Sequence, residues 1–397
     1  MSWKTVVLGD VIELQNGYAF KSSEYSDDGY FLMRITNVQQ GYIQNNNPKY
    51  VNIPDKSKLQ QFILNEGDIL MSLTGDVGRV GVLKEENLPA ALNQRVARII
   101  IKSLFNLDEK YLFNLLNSDE IREKIESLGH GAAQLNVSTK DILSIEIPLP
   151  PLSTQKKIVA KLDSVFAEID KAKTASEANA KNAEVLFQSY LTSVFERQNE
   201  NNVLSTLGEY YDVRDGTHES PKFYESGYPL VTSKNLKNGS ISFEKIQYIS
   251  KEDYLSISQR SGVKKGDVLM AMIGTIGNPV VVDTDDEFAI KNVALFKTNS
   301  NQSPLFLRYY LGSDYVKRKM ENDAKGATQK FVGLGYLRSF PISVPVLSSQ
   351  LSIVRELEEY EQHTNRLSTS YVDKTNQLLL LRQSVLRQAF SGELVKD

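Results

Sequence analysis

Glu66-Gly67-Asp68-Ile69-Leu70-Met71 returns 199 positions later as Lys265-Gly266-Asp267-Val268-Leu269-Met270, and this recurrence decides how the chain is read. Working outward, Leu8-Gly9-Asp10 returns as Leu207-Gly208-Glu209, and Gly75 and Gly78 return as Gly274 and Gly277, at the same interval. Further along the interval becomes 195: Leu152-Ser153-Thr154-Gln155 matches Leu347-Ser348-Ser349-Gln350, and Leu191 and Phe195 match Leu386 and Phe390. A chain that repeats one unit presents two equivalent surfaces at a set separation. That suits a long, two-part target better than a single closed active site.

Composition narrows the chemistry. The 397 residues suffice for two domains with their own cores plus connectors. Without cysteine there is no disulfide framework and no thiolate metal site, and His130, His218 and His363 lack ligand-type spacing. No apolar run has the length of a signal peptide or a membrane span, so the expectation is a soluble, cytoplasmic protein without membrane partners. The net charge of -3 is not that of a generic polycation. Residues 1–150 carry 15 Lys+Arg against 19 Asp+Glu, and residues 199–345 carry 18 against 17. Binding to DNA would therefore require positive charge gathered on one face, or neutralisation supplied by partner subunits.

Four segments emerge: 1–150 and 199–345 as two similar α+β domains, and 151–198 and 346–397 as helical spacers. In the domains, short β-rich runs such as 29–35 and 67–73 are bounded by Gly, Asn, Asp and Pro, and 98–101 reads as a buried strand. Helical spacing covers 108–128 and, in the second copy, 303–321. The spacers carry a four-three apolar pattern. Ile158, Leu162, Val165, Ile169 and Leu186 lie on it in the first, interrupted by Ala172, Ser176, Asn179 and Ala183. Ile353, Leu357, Leu367, Leu378 and Leu381 lie on it in the second. Such a pattern predicts two helices paired as a coiled coil. Setting small middle residues against large ones, and following the connectivity, predicts an antiparallel, pseudo-twofold pair.

Catalytic motifs are missing. There is no phosphate loop, Gly75-Asp76-Val77-Gly78-Arg79 misses the dinucleotide spacing, and Asn278-Pro279-Val280 is not an adenine-gripping Asn-Pro-Pro-aromatic motif. The expectation is a non-catalytic binding protein.

Three stretches carry a resemblance: 16–23 (Asn-Gly-Tyr-Ala-Phe-Lys-Ser-Ser), 66–71, and 147–158 (Ile-Pro-Leu-Pro-Pro-Leu-Ser-Thr-Gln-Lys-Lys-Ile), with 325–330 (Lys-Gly-Ala-Thr-Gln-Lys) in the second copy. The chain resembles the specificity subunits of type I restriction–modification systems over essentially its whole length. The resemblance implies two target-recognition domains, each reading half of a split double-stranded DNA site. It implies helical spacers that dock two methyltransferase subunits and, through them, restriction–translocation subunits. It implies no cofactor on this chain, S-adenosylmethionine being bound by the modification subunits. Thr154 and Ser349 depart from the acidic residue that many members carry before the Gln.

Bases are distinguished by donors and acceptors in the major groove, so polar loop residues matter more than total charge. The candidates in the first domain are Lys21, Ser22, Arg34, Thr36, Asn37, Thr74, Arg79, Asn93, Gln94, Arg95, His130 and Gln134. In the second they are Thr217, His218, Lys234, Asn235, Thr275, Lys291, Asn292, Lys325, Gln329 and Lys330. Asn37 and Asn235 can equally cap turns, and the glycines can equally serve tight turns. Residues matched between copies suit framework; readers of unlike half-sites should differ. Lys156, Lys157, Arg382 and Arg387 stand as docking candidates on outward helix faces. The competing reading is a coiled-coil scaffold that presents two binding domains to non-DNA partners.

Overall fold

A computed structural model describes the chain except for residues 1, 2, 56, 104, 105, 132, 133, 202, 238, 275, 327–329, 396 and 397. It divides into two units, the first comprising Met1–Ser176 with Asp373–Asp397, the second Glu177–Val372.

The sequence repeat is a repeat of topology. In the first unit, Val80–Val82, Ile69–Ser72, Val96–Ile101 and Ile12–Asn16 form one antiparallel sheet in that order. In the second, Gly277–Val281, Val268–Ala271, Val293–Lys297 and Asp212–Asp215 form the same sheet in the same order. A second sheet in each unit contains one parallel pairing, Leu32 beside Ala91 and Val231 beside Ile290. The copies differ where the first unit has the short strand Ile63–Leu64 and the second has the helix Lys251–Ser261. The expected α+β class is met.

The stretches expected as single helices, 108–128 and 303–321, are each broken in two. Glu109–Leu116 is followed by Asp119–Ser127, and Pro304–Gly312 by Asp314–Asp323. The breaks fall at Ser118 and Ser313, whose hydroxyls donate to the carbonyls of Leu115 at 2.7 Å and Tyr310 at 2.8 Å. These local bonds compete with continued helix. Tyr111 and Tyr310 then tie the first helix of each pair to the strand before the spacer, donating to the Pro148 carbonyl (2.9 Å) and the Pro341 carbonyl. Burial holds both phenols above their ordinary pKa, in the protonated form that can donate.

The motif at the start of each spacer is a lock. Gln155 is fully buried; its amide donates to the carbonyls of Pro150 (2.8 Å) and Asn106 (3.0 Å), and its Oε1 accepts from the Asp108 N–H at 2.8 Å. Gln350 repeats this, donating to Pro345 O at 2.7 Å and accepting from Ser303 N–H at 2.8 Å. Only a side chain with both donor and acceptor can satisfy these opposed backbone groups.

The spacers are the helices Leu152–Asn201 and Leu347–Ser391. Within the first unit, Arg382 lies 3.9 Å from the Phe166 ring centroid and pairs with Asp170 at 2.9 Å. Within the second, Tyr190 stacks on Tyr360 at 4.0 Å and bonds to Glu356. In each unit an early segment of one helix thus meets a late segment of the other, which is antiparallel pairing. Ile158, Leu162, Ile169, Ile353 and Leu357 are buried as expected, and Val165 and Leu378 partly so.

Three expected seam positions are corrected: Leu186, Leu367 and Leu381 are 48%, 43% and 47% exposed. A strict seven-residue repeat drifts about 20° per heptad on a straight helix. Toward the helix ends, beyond Leu186 and Leu381, the buried stripe is drawn instead to the domain cores. Leu191, Val194 and Phe195 join the second unit's core, and Val385, Leu386, Ala389 and Phe390 the first's. Arg382, expected to face outward, is held at the helix pair; Lys156, Lys157 and Arg387 are exposed.

Candidate nucleic-acid interface

In each unit the loops after matched strands converge. In the first unit they follow Tyr30–Met33 and Ile69–Ser72, and join Ala90–Leu92 to Val96–Ile101. A fourth loop closes on them: Thr74 bridges to Asn136, and Asn136 to His130, in backbone pairing. The second unit repeats this closure with Ile273 bridged to Phe331 and Phe331 to Lys325. Tight chain crossings fix the arrangement. A Cβ on Gly17 would lie 2.2 Å from the Asn93 carbonyl oxygen, and one on Gly216 would lie 2.1 Å from that of Ile290. Gly75 and Gly274 turn the chain at φ of 78° and 79°, supporting the tight-turn reading of these glycines.

In the first unit Thr36, Thr74, Arg79 and Gln134 line one open concavity of about 410 Å3 with Ile35, Gly75, Asp76 and Leu135. Arg79 is tethered there, pairing with Asp76 and donating to Gln39 Oε1 at 3.2 Å. Beside it, Thr74 donates to Asn136 Oδ1 at 2.7 Å, and Arg95 Nη1 lies 3.3 Å from Thr74 Oγ1 and 3.2 Å from Asn136 Oδ1. Arg34 donates to the Asn47 carbonyl at 2.5 Å. Lys21 and Ser22 are exposed on the turn Ser22–Glu24, apart from that concavity's lining, as are Gln94 and His130 on their own loops; Asn93 is half-buried.

In the second unit Lys234, Lys291 and Asn292 line a concavity of about 650 Å3, joined by Lys237, Asn278, Gln247 and Phe223, which sequence reasoning had not selected. Three lysines and no carboxylate among its described lining make this surface attractive to phosphate. Lys291 bonds to Ser220. Thr217 pairs in backbone with Lys291, and its Oγ1 accepts from the Glu219 N–H at 3.2 Å. The His218 ring nitrogens lie 2.9 Å from Asn292 Oδ1 and 3.0 Å from Asp215 Oδ2, while Asp215, buried, also pairs with Arg260. Lys325 and Lys330 are exposed on the closing loop; Lys330 donates to the Glu321 carbonyl at 3.1 Å. Thr275 and Gln329 lie outside the described residues.

Asn37 and Asn235 are corrected. They are 0% and 9% exposed, and their amides are spent inside the loops. Asn37 accepts from the Arg34 N–H (3.1 Å) and donates to Gln44 O (3.1 Å); Asn235 accepts from the Thr232 N–H (3.0 Å) and donates to Ser242 O (3.0 Å). The identical bracing in both copies is the mark of framework. Asp68 and Asp267 are likewise framework, each holding a backbone N–H and one cation, Arg98 at 3.2 Å and Lys297 at 2.5 Å. Around this constant frame the loop side chains change: where the first unit has the half-buried Gln39 and Arg79, the second has the exposed Lys237 and Asn278.

A family described as "Type I restriction modification DNA specificity domain" matches residues 1–180 and again 199–374. The chain belongs to this family. It is 24% identical over 99% of its length to the EcoBI specificity subunit of Escherichia coli, covering 86% of that protein. It is 35% identical to the MjaVIII specificity subunit of Methanocaldococcus jannaschii over 41% of this chain and 39% of that one. Among solved structures, the HsdS subunit from Thermoanaerobacter tengcongensis shares the fold at a TM-score of 0.57, with 21% identity across 99% of this chain and 97% of that one. A chain solved in a study of complex assembly and conformational transition of the type I R-M system gives 0.68, with 20% identity across 99% and 98%. Specificity subunits of this family are non-catalytic. Among the described residues there is no group of three or more His, Cys, Asp or Glu able to hold a metal ion. No described helix is long and apolar enough to cross a membrane.

Proposed function

We propose that each unit reads one half of a bipartite DNA sequence through its converged loops, while the chain serves as the DNA-specificity subunit of a type I restriction–modification complex. One observation carries the reading: a frame braced in the same way occurs twice, with different polar and basic side chains on its loops. A shared frame that carries different side chains on its loops is what two readers of unlike half-sites require, since base edges are told apart by which donors and acceptors meet them. A scaffold for non-DNA partners gives no reason for a lysine-lined concavity free of carboxylates.

Segments 1–150 and 199–345 act as the readers. Segments 151–198 and 346–397 act as spacers whose length sets the unread gap. The exposed spacer faces around Lys156, Lys157 and Arg387 receive two methyltransferase subunits that bind S-adenosylmethionine, and restriction–translocation subunits join through these, in the cytoplasm. The candidates that retain an exposed edge, among them Lys21, Arg79, Gln94, Arg95, His130, Lys234, Lys291, Lys325 and Lys330, make the DNA contacts. Long-read methylome sequencing of a host with and without the gene, its modification partner present, tests the whole. A split methylated motif should vanish with the gene, and adding matched turns to both spacers should change only its gap. A motif independent of the gene, or a changed half-site with a constant gap, refutes the reading.

A further inference from the structure

We propose that Arg95 is the guanine-reading side chain of the first unit, aimed by Thr74 and Asn136; this deepens, and rests on, the DNA-reading function above. Strand register isolates the residue. Leu92 pairs with Met33 and Val96 with Ser72, while in the other copy Lys291 pairs with Thr232 and Val293 with Ala271. Met33 and Thr232, like Ser72 and Ala271, are 199 apart, so the flanking strands are equivalent. Between them the first unit places Asn93, Gln94 and Arg95, and the second only Asn292. Arg95 therefore sits on a loop extension that the second reader lacks.

Its supports change with it. The bridged pair Thr74 and Asn136 in the first unit is the bridged pair Ile273 and Phe331 in the second. Where the arginine is absent, the two groups that would hold it are apolar. In the first unit the hydrogen bonds run one way: Arg95 Nη1 donates to Thr74 Oγ1 and Asn136 Oδ1, and the Thr74 hydroxyl donates to Asn136. Thr74 is buried, so the relay is anchored in the frame.

The other arginines of residues 1–150 are spent otherwise. Arg79, Arg98 and Arg122 pair with Asp76, Asp68 and Glu126, and Arg34 is tied to the Asn47 carbonyl. Arg95 is exposed, and among the described residues it meets no carboxylate; the bonds found use Nη1 alone. The Nε–Nη2 edge is left as a fork of two parallel donors, which matches the O6 and N7 acceptors of guanine in the major groove. A phosphate would accept the same fork but would carry no sequence information, so the test below separates the two by whether the loss falls on one base pair or on every sequence.

The test uses the full chain with its modification partner. Methylome sequencing compares wild type, Arg95→Ala, Arg95→Lys and Thr74→Val. Duplexes carrying the wild-type motif, with each guanine replaced in turn by 7-deazaguanine, which lacks N7, are then bound by the purified complexes. Expected is relaxation at a single G·C pair in one half-site for all three variants. Loss of N7 at that pair should weaken wild-type binding about 5- to 150-fold and leave Arg95→Ala unaffected. Lysine keeps the charge but not the fixed fork, so Arg95→Lys reading the full motif with undiminished affinity overturns the proposal. So does an unchanged motif in Arg95→Ala, relaxation at an A·T pair, or a uniform loss across all duplexes. A wild-type complex with no split motif defeats the underlying function instead.

Discussion

Replacing Gln155 with Ala is the sharpest test of how reader and spacer are joined. The side chain is fully buried and makes three hydrogen bonds to backbone groups from two segments, at 2.8, 2.8 and 3.0 Å. At about 0.5–1.5 kcal/mol each, their loss, which leaves the Asp108 N–H and two carbonyls unsatisfied, destabilises the first unit by about 2–4 kcal/mol. The chain has one tryptophan, Trp3, packed against the first unit's core, so its emission during urea unfolding reports on that unit. Gln155→Glu separates hydrogen bonding from volume. A carboxylate would face the carbonyls of Pro150 and Asn106 with no proton to donate, so at neutral pH this variant should be at least as unstable as the alanine. The introduced group's folded pKa is raised above its unfolded value, so stability should be regained as pH falls and the carboxyl protonates. A loss below about 1 kcal/mol for Gln155→Ala, or a glutamate variant indistinguishable from wild type, refutes the lock.

Leu162→Ala and Leu386→Ala, buried in the first unit's core, should each cost about 2–5 kcal/mol in the same titration. Leu381→Ala, about half exposed, should cost about 0.5 kcal/mol or less in that titration, and Leu186→Ala, in the second unit, as little in thermal unfolding, so losses equal to those of the buried leucines would restore the strict heptad seam. Lys297→Met strands the carboxylate of Asp267, 3% exposed, and should cost about 3–5 kcal/mol, with Asp267→Asn added to it recovering part of the loss in thermal unfolding. Gly216→Ala drives a methyl into the Ile290 carbonyl and should cost about 1–3 kcal/mol or more, whereas Gly335→Ala, with open space at its Cβ in the helix Leu334–Ser339, should be neutral or stabilising in the same melt.

The large features were legible because they are periodic or repeated. Glycine-bounded strands, the twin frame and the two spacers all leave patterns along the chain. Strand order leaves none, since the pairing of Val96–Ile101 between Ile12–Asn16 and Ile69–Ser72 is a long-range choice. The seam was legible at Ile158 and Leu357 but misread at Leu186 and Leu381, where a domain core competes with the partner helix for the same turns. Asn37 and Asn235 looked like readers because a polar side chain in a loop carries no sign of which way it faces. Conversely, Asn136, Lys237 and Asn278 were passed over; the 199-residue match of Arg79 to Asn278 was available as a signal, whereas the Thr74–Asn136 bond requires the fold.

The first unit's core is assembled from segments made far apart in time. Ile158, Leu162 and Ile169 share it with Val385, Leu386, Ala389 and Phe390, and Leu394 and Val395 pack on its edge. At ~5–20 residues per second, the 216 residues from Ile169 to Val385 take a ribosome about 10–40 s to add. Throughout that interval the nascent amino-terminal half shows a greasy flank to water, a natural hold-point for chaperones. A premature stop late in the gene would therefore cripple the portion translated first.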